Sequence, residues 1–129
     1  MIRVEEERMR FEFATTARIL FGAGTLREVG PIAAEMGSQA LVVTGRTTDR
    51  AAPLLEVLAD QGIDTVSFPV AREPTIEVAS RGTQRGREAG CDLVIGFGGG
   101  SALDTGKAVA ALLTNGGDPL DYLEVIGDG

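Results

Sequence analysis

The sequence contains no histidine and no tryptophan, and only one cysteine and one tyrosine among its 129 residues. Without histidine the chain lacks the side chain that most often serves as general base and as transition-metal ligand, so chemistry of either kind must draw on other groups. The lone Cys91 cannot close an internal disulfide, and it stands at the head of an apolar run with no metal-ligand partner beside it. A reducing, cytoplasmic setting is expected. Long hydrophobic runs are missing too: no stretch approaches the roughly 18 to 20 apolar residues of a membrane span. The opening MIRVEEERMR is too charged for a signal peptide, so a soluble protein with no membrane partner is expected. Positive charge is also in short supply. Twelve Lys and Arg against 19 Asp and Glu give a net charge of -7, which disfavours a broad attraction to nucleic acid. Any phosphate-bearing ligand has to be held locally.

What the chain does have is alternation. Its length suits one compact domain burying roughly two-thirds of its unfolded surface, or the first part of a larger protein. FEF (residues 11–13) and RILF (18–21) suggest a small N-terminal hairpin. Thr25 and Glu28 then stand in capping-box spacing before a helix whose apolar positions are Leu26, Val29, Ala33 and Met36. Gly30 and Pro31 predict that this helix breaks into two pieces. ALVVT (40–44) is an unbroken apolar, β-branched run of the kind buried on both faces of a parallel sheet. A helix over 50–61, with Ala51, Leu54, Leu55 and Leu58 on one side, stops at Gly62 before the strand IDTVSF (63–68).

Thr75 to Ala89 is the next expected helix, although Gly82 and Gly86 each weaken it by about 1 kcal/mol relative to alanine. DLVIGF (92–97) is the strongest strand signal and runs straight into three glycines. A helix from Ser101 to Leu113 follows, its apolar Ala102, Leu103, Val109, Ala110 and Leu113 facing the sheet. Beyond Asn115, one short helix around Pro119 to Leu123 is expected. This order predicts an α/β fold: a doubly wound, mostly parallel, Rossmann-like sheet with helices on both faces and a small N-terminal hairpin.

The stretch GFGGGSALDTGKA (96–108) carries the chemistry. At the carboxyl end of a buried parallel strand, glycines let the backbone approach a ligand, and the next helix offers free N–H groups and a positive dipole end. Phosphate is the natural ligand there. The phosphate-loop pattern of nucleoside triphosphatases fails, because position 101 is Ser and position 108 is Ala. The dinucleotide fingerprint G-x-G-x-x-G is met only weakly, by Gly96, Gly98 and then Ser101, and it follows a late strand.

The fuller pattern GGGSxxDxxK is met by Gly98, Gly99, Gly100, Ser101, Asp104 and Lys107. Together with RILFGAG, ALVVTG, AGCDLVIGFGGGSALDTGKA and DYLEVIGDG in the same order and spacing, it makes the chain resemble the first domain of the iron-containing, group III alcohol dehydrogenase family, from about Phe11 onward. The resemblance implies an oxidoreductase using NADP or NAD to interconvert an alcohol and a carbonyl compound. Residues 1–129 would be its NAD(P)-binding N-terminal domain. The helical C-terminal domain, which holds a divalent metal (iron, in some members zinc), would lie outside this chain, leaving the chain alone inactive. Members of the family include maleylacetate reductases and polyol dehydrogenases, and they often form homodimers through their N-terminal strands.

Carried over residue by residue, Gly98, Gly99, Gly100 and Ser101 would hold the dinucleotide pyrophosphate, with Asp104 and Lys107 toward the nicotinamide ribose. Asp104 and Lys107 are i, i+3 neighbours on a helix, which suits that placement. Read without the resemblance, Ser101 and Asp104 serve equally as a capping box, and the two roles can coexist. Many NAD-using members carry an acidic residue just after the second strand, where this chain has Gly45, Arg46, Thr47 and Thr48. Losing a carboxylate and gaining a guanidinium and two hydroxyls suits a 2'-phosphate and predicts a preference for NADP. The plainer reading is that Arg46 points to solvent. Arg72, Arg81, Arg85 and Arg87 interleave with glutamates and read as a solvated face, Cys91 as a small residue packed at a strand start, and Tyr122 as packing or surface. Two further readings stay open: a nucleotide-binding module without redox chemistry, and a truncated chain that serves only in assembly.

Overall fold

The computed structural model describes residues 15–21, 26–46, 48–71, 75–113 and 120–126. Five strands, β1 (Thr15–Phe21), β2 (Gln39–Thr44), β3 (Asp64–Pro69), β4 (Leu93–Phe97) and β5 (Leu120–Ile126), form one sheet in the order β1-β5-β4-β2-β3. All four pairings are parallel. Four helices join them: α1 (Leu26–Met36), α2 (Ala52–Asp60), α3 (Ile76–Glu88) and α4 (Gly100–Leu113), with a 3-10 turn, Thr48–Ala51, leading into α2.

The alternating faces of the strands explain the layers. In β2, Ala40 and Val42 join a core with Val29 and Ala33 of α1 and Leu54 and Leu58 of α2. Leu41 and Val43 face the opposite way and pack with Ala79 of α3 and Val109 and Ala110 of α4. An all-parallel sheet has to be covered on both faces, and this one is. The chain runs from β1 to β3 along one face, then reverses, so that α3 crosses β2 on the other face and delivers β4 to the far side of β2. Right-handed crossovers require that change of face when the direction of winding reverses. The reversal places the switch point of the topology between β2 and β4.

The α/β expectation matches this architecture, and three local readings change. The helix predicted to break at Gly30-Pro31 is one element, α1, with Pro31 exposed inside it. Proline there removes a single backbone donor, while the buried positions Val29 and Ala33 hold the helix to the sheet. The helix expected around Pro119 to Leu123 is instead part of β5, inserted between β1 and β4. Of the predicted hairpin, the first arm lies outside the described residues. The second is β1, whose neighbour is β5 in parallel. The expected cap at Thr25 also lies outside the described residues.

Gly82 and Gly86 turn out to be contact points rather than weak spots. A Cβ on Gly82 would stand 2.9 Å from Val109 Cγ2 and 3.0 Å from Phe68 Cε2, and one on Gly86 would stand 3.0 Å from Leu113 Cδ1. Bare backbone on one side of α3 lets α4 lie close. At the amino ends of the strands, Asp92 ties β2 to β4: its Oδ1 accepts from the amides of Ser38 (3.0 Å) and Gln39 (2.9 Å). Its own amide donates to Gln39 O at 2.9 Å.

Candidate functional site at the switch point

In open α/β sheets the crevice at the carboxyl ends of the strands, where winding reverses, is the one place where two loops diverge and leave room for a ligand. Here that crevice is a cleft of about 280 Å³. Thr44, Gly45, Arg46 and Arg50 form one wall, at the end of β2, and Phe97, Gly98 and Gly99 form the other, at the end of β4. The two loops nearly touch: a Cβ on Gly98 would stand 3.8 Å from the amide nitrogen of Gly45.

Each glycine has its own reason to be bare. Gly98 has φ +121°, a conformation that side chains rarely adopt, and it is the turn that carries the chain from β4 into α4. Gly45, Gly99 and Gly100 meet nothing within 4 Å of where a Cβ would be, so their bareness answers to open space and not to packing. Gly96, by contrast, is part of the core. Its missing side chain makes room for Tyr122, whose Oη would lie 2.5 Å from a Cβ there.

The helix α4 begins at Gly100, one residue earlier than expected, and the Leu103 amide donates to Gly99 O at 3.1 Å. Ser101 therefore sits inside the first turn and not at the capping position. The amides of Gly99, Gly100, Ser101 and Ala102 precede the first intrahelical donor and have no helical acceptor. They stand at the positive end of a 14-residue helix, directly beside the bare glycines. This arrangement fits an anionic phosphate group brought against the backbone.

The sequence-predicted residues divide into two groups. Gly45, Arg46, Gly98 and Gly99 come together around the cleft. Gly100, Ser101, Asp104 and Lys107 follow along the first two turns of α4 without lining it; Asp104 is exposed, and Ser101 and Lys107 are half-buried. Thr47 lies outside the described residues, and Thr48 opens the 3-10 turn. Sequence reading missed Arg50, a second guanidinium on the same wall as Arg46. The signal was its place just beyond the carboxyl end of a buried strand, four positions after Arg46.

Two other singled-out residues have structural roles. Tyr122 is fully buried in β5, and its hydroxyl donates to Leu103 O at 2.7 Å. Burial, then the nearby carboxylates of Glu124 and Asp104, push the phenol far above its ordinary range, which makes it a weaker acid than a free tyrosine. Cys91 is half-buried; burial first, and then Asp92, raise its thiol pKa, the opposite of an activated nucleophile. Arg81, Arg85 and Arg87 are exposed on α3, and Arg87 Nη2 donates to Leu112 O at 3.2 Å. Among the described residues, no three His, Cys, Asp or Glu side chains stand together. No described helix is long and apolar enough to cross a membrane.

Fold and site together define a doubly wound α/β domain with a glycine-lined crevice at its switch point. The family model for iron-containing alcohol dehydrogenases matches residues 16–129, and the chain belongs to that family. It is similar to a sulfoacetaldehyde reductase of Bilophila wadsworthia (36% identity over 118 residues, 88% of this chain and 30% of the relative). It is also similar to an NAD-dependent methanol dehydrogenase of Bacillus methanolicus (31% over 108 residues, 80% of this chain and 28% of the relative). The crystal structure of an iron-containing alcohol dehydrogenase from Thermotoga maritima superposes with a TM-score of 0.73 at 28% identity, covering 89% of this chain and 37% of that one. The chain thus spans about a third of the length of the relatives it matches.

Proposed function

We propose that this chain is the dinucleotide-binding part of a metal-dependent oxidoreductase that interconverts an alcohol and a carbonyl compound. The observation that carries the reading is the bare backbone of Gly98, Gly99 and Gly100 beside unpaired helix amides, facing open space at the switch point. When bound, the nicotinamide supplies or accepts the hydride, and a metal held outside this chain polarises the substrate oxygen. The residues here bind and orient. Gly98 and Gly99 let the pyrophosphate close on the backbone, while the amides of Gly100 and Ser101 and the Ser101 hydroxyl hold its charge. Asp104 and Lys107 of α4 serve the nicotinamide side, and the segment after β2, with Gly45, Arg46, Thr47 and Thr48, serves the adenosine side.

With Gly45 in place of a carboxylate and Arg46 beside it, the site takes NADP in preference to NAD, since a guanidinium pairs with a phosphate dianion and a carboxylate would repel it. The same reading makes residues 1–129 an N-terminal domain, with a helical metal-binding domain elsewhere in the complete protein and its substrate a small alcohol or carbonyl compound. It makes the complete protein a cytoplasmic homodimer. Relatives named as a sulfoacetaldehyde reductase and a methanol dehydrogenase fit that substrate class.

A fluorescence titration of the purified chain with NADPH and NADH tests the reading. Saturable binding, tighter for NADPH, is expected, and Gly45→Asp should reverse the order of the two affinities. Failure of both cofactors to bind at millimolar concentration would remove the dinucleotide reading. Binding that gives no turnover once a helical partner domain is supplied would leave a nucleotide-binding module without redox chemistry.

A further inference from the structure

We infer that Arg50, through the 3-10 turn that carries it, is a second specificity-determining residue and closes with Arg46 on one phosphate. The inference rests on the dinucleotide reading of the cleft. Three observations support it. Arg46 and Arg50 line the same wall of the cleft, opposite Gly98 and Gly99, so the cleft has two separate places for negative charge: the amides at the start of α4 and this pair of guanidiniums. Neither arginine makes an ion pair or hydrogen bond among the described residues, although the chain as a whole carries a net charge of -7.

The third observation is the way Arg50 is held. Ala51 is 2% exposed and Leu54 fully buried, so the chain is anchored to the core one and four residues beyond Arg50, while Arg50 itself is exposed toward the cleft. Its backbone is fixed by packing rather than left to a free loop, so less freedom is lost when it binds. Asp49, the adjacent residue, is exposed and is the nearest carboxylate along the chain. A planar guanidinium reaches a phosphate with two parallel N–H donors, and two such groups cover a phosphate monoester far better than a single one. The pyrophosphate of a dinucleotide is assigned to the glycine side. The group left for the arginine side is therefore the one that distinguishes NADP from NAD.

The test uses the 129-residue chain with NADPH, NADH and adenosine 2',5'-bisphosphate as probes, in Arg46→Ala, Arg50→Ala, Arg50→Lys and the double alanine variant, each checked for unchanged circular dichroism. Arg50→Ala is expected to weaken NADPH and the bisphosphate about tenfold or more and NADH by less than twofold. Arg50→Lys should recover only part of the loss, because the two-pronged contact is gone. If one phosphate is shared, the double variant should lose less than the product of the single losses. Equal weakening of NADPH and NADH, or no effect on either, would overturn the role of Arg50 and leave the dinucleotide site standing. A wild-type chain that binds neither cofactor would overturn both.

Discussion

Tyr122 occupies the space that a side chain on Gly96 would need: its Oη would lie 2.5 Å, and its ring atoms Cε1 and Cζ 3.3 Å, from a Cβ at that position. Gly106, on α4, closes on the same ring, where a Cβ would meet Cε1 at 3.0 Å. Gly96→Ala should therefore cost about 1 to 3 kcal/mol of stability by overpacking. In a Tyr122→Phe background, which removes the closest atom, the same change should cost clearly less. Denaturant unfolding of the four proteins in this cycle reads the coupling directly, and identical costs in both backgrounds would rule the contact out as the cause.

The same phenol sets an alkaline limit. Its pKa is raised by folding, so the folded state holds the proton more tightly than the unfolded chain does. The contribution is complete below the ordinary tyrosine value near pH 10 and is lost as pH rises above it. Stability should fall with pH in that alkaline range, and more gently in Tyr122→Phe. Because Tyr122 is the sole tyrosine and the chain has no tryptophan, phenolate absorbance follows this one group. Ionisation should coincide with loss of circular dichroism; ionisation of a still-folded protein would show that the phenol is less shielded than its burial implies.

Gly82 gives a test in which two effects have opposite signs. Helix propensity alone makes Gly82→Ala stabilising by about 1 kcal/mol. The close approach of Val109 and Phe68 makes it destabilising by about 1 to 3 kcal/mol. We expect packing to win, with the melting temperature lowered. At Gly90, with φ +68° and open space around it, alanine should be destabilising through backbone strain alone, by about 1 kcal/mol.

Gly98→Ala should affect both stability and binding. A φ of +121° is costly for alanine, about 1 to 3 kcal/mol, and any relaxation moves the backbone at the junction of β4 and α4. On the proposed dinucleotide reading, NADPH and NADH affinity should fall together, because both would place a pyrophosphate against this turn. Gly99→Ala, which meets open space at an ordinary φ, should spare stability and weaken binding of both cofactors. Equilibrium unfolding and cofactor titration of the two variants separate these effects.

Much of the fold could be read from local pattern. ALVVT and DLVIGF announce buried parallel strands because a strand covered on both faces has no polar side to show. Gly98 to Gly100 are legible as a glycine turn because they sit at the end of such a strand, where Gly98 and Gly99 line the cleft. The strand β5 is different: its place between β1 and β4 puts Tyr122 against α4 on one face and Leu123 and Val125 in the core with α1 and α2 on the other, and that long-range placement leaves no local periodicity. Arg50 was missed for a related reason. Its position at the start of a helical pattern was clear, but the cleft exists because β4 lies beside β2 and not beside β3, a fact of topology. Likewise, Gly82 and Gly86 read as helix-weakening until α4 is placed against them.

Among the described residues, the strand β1 pairs with β5 alone, which comes roughly a hundred residues later in the chain. While the polypeptide emerges from the ribosome, β2, β3 and β4 can pair as soon as each is made, but β1 must wait for its partner until β5 has been synthesised. Its docking closes the longest loop in the sheet, a slow step by the general relation between sequence separation and folding rate. Until β5 is made, the segment around Thr15 to Phe21 lacks the strand it pairs with in the fold and is open to capture by chaperones or by another copy of itself.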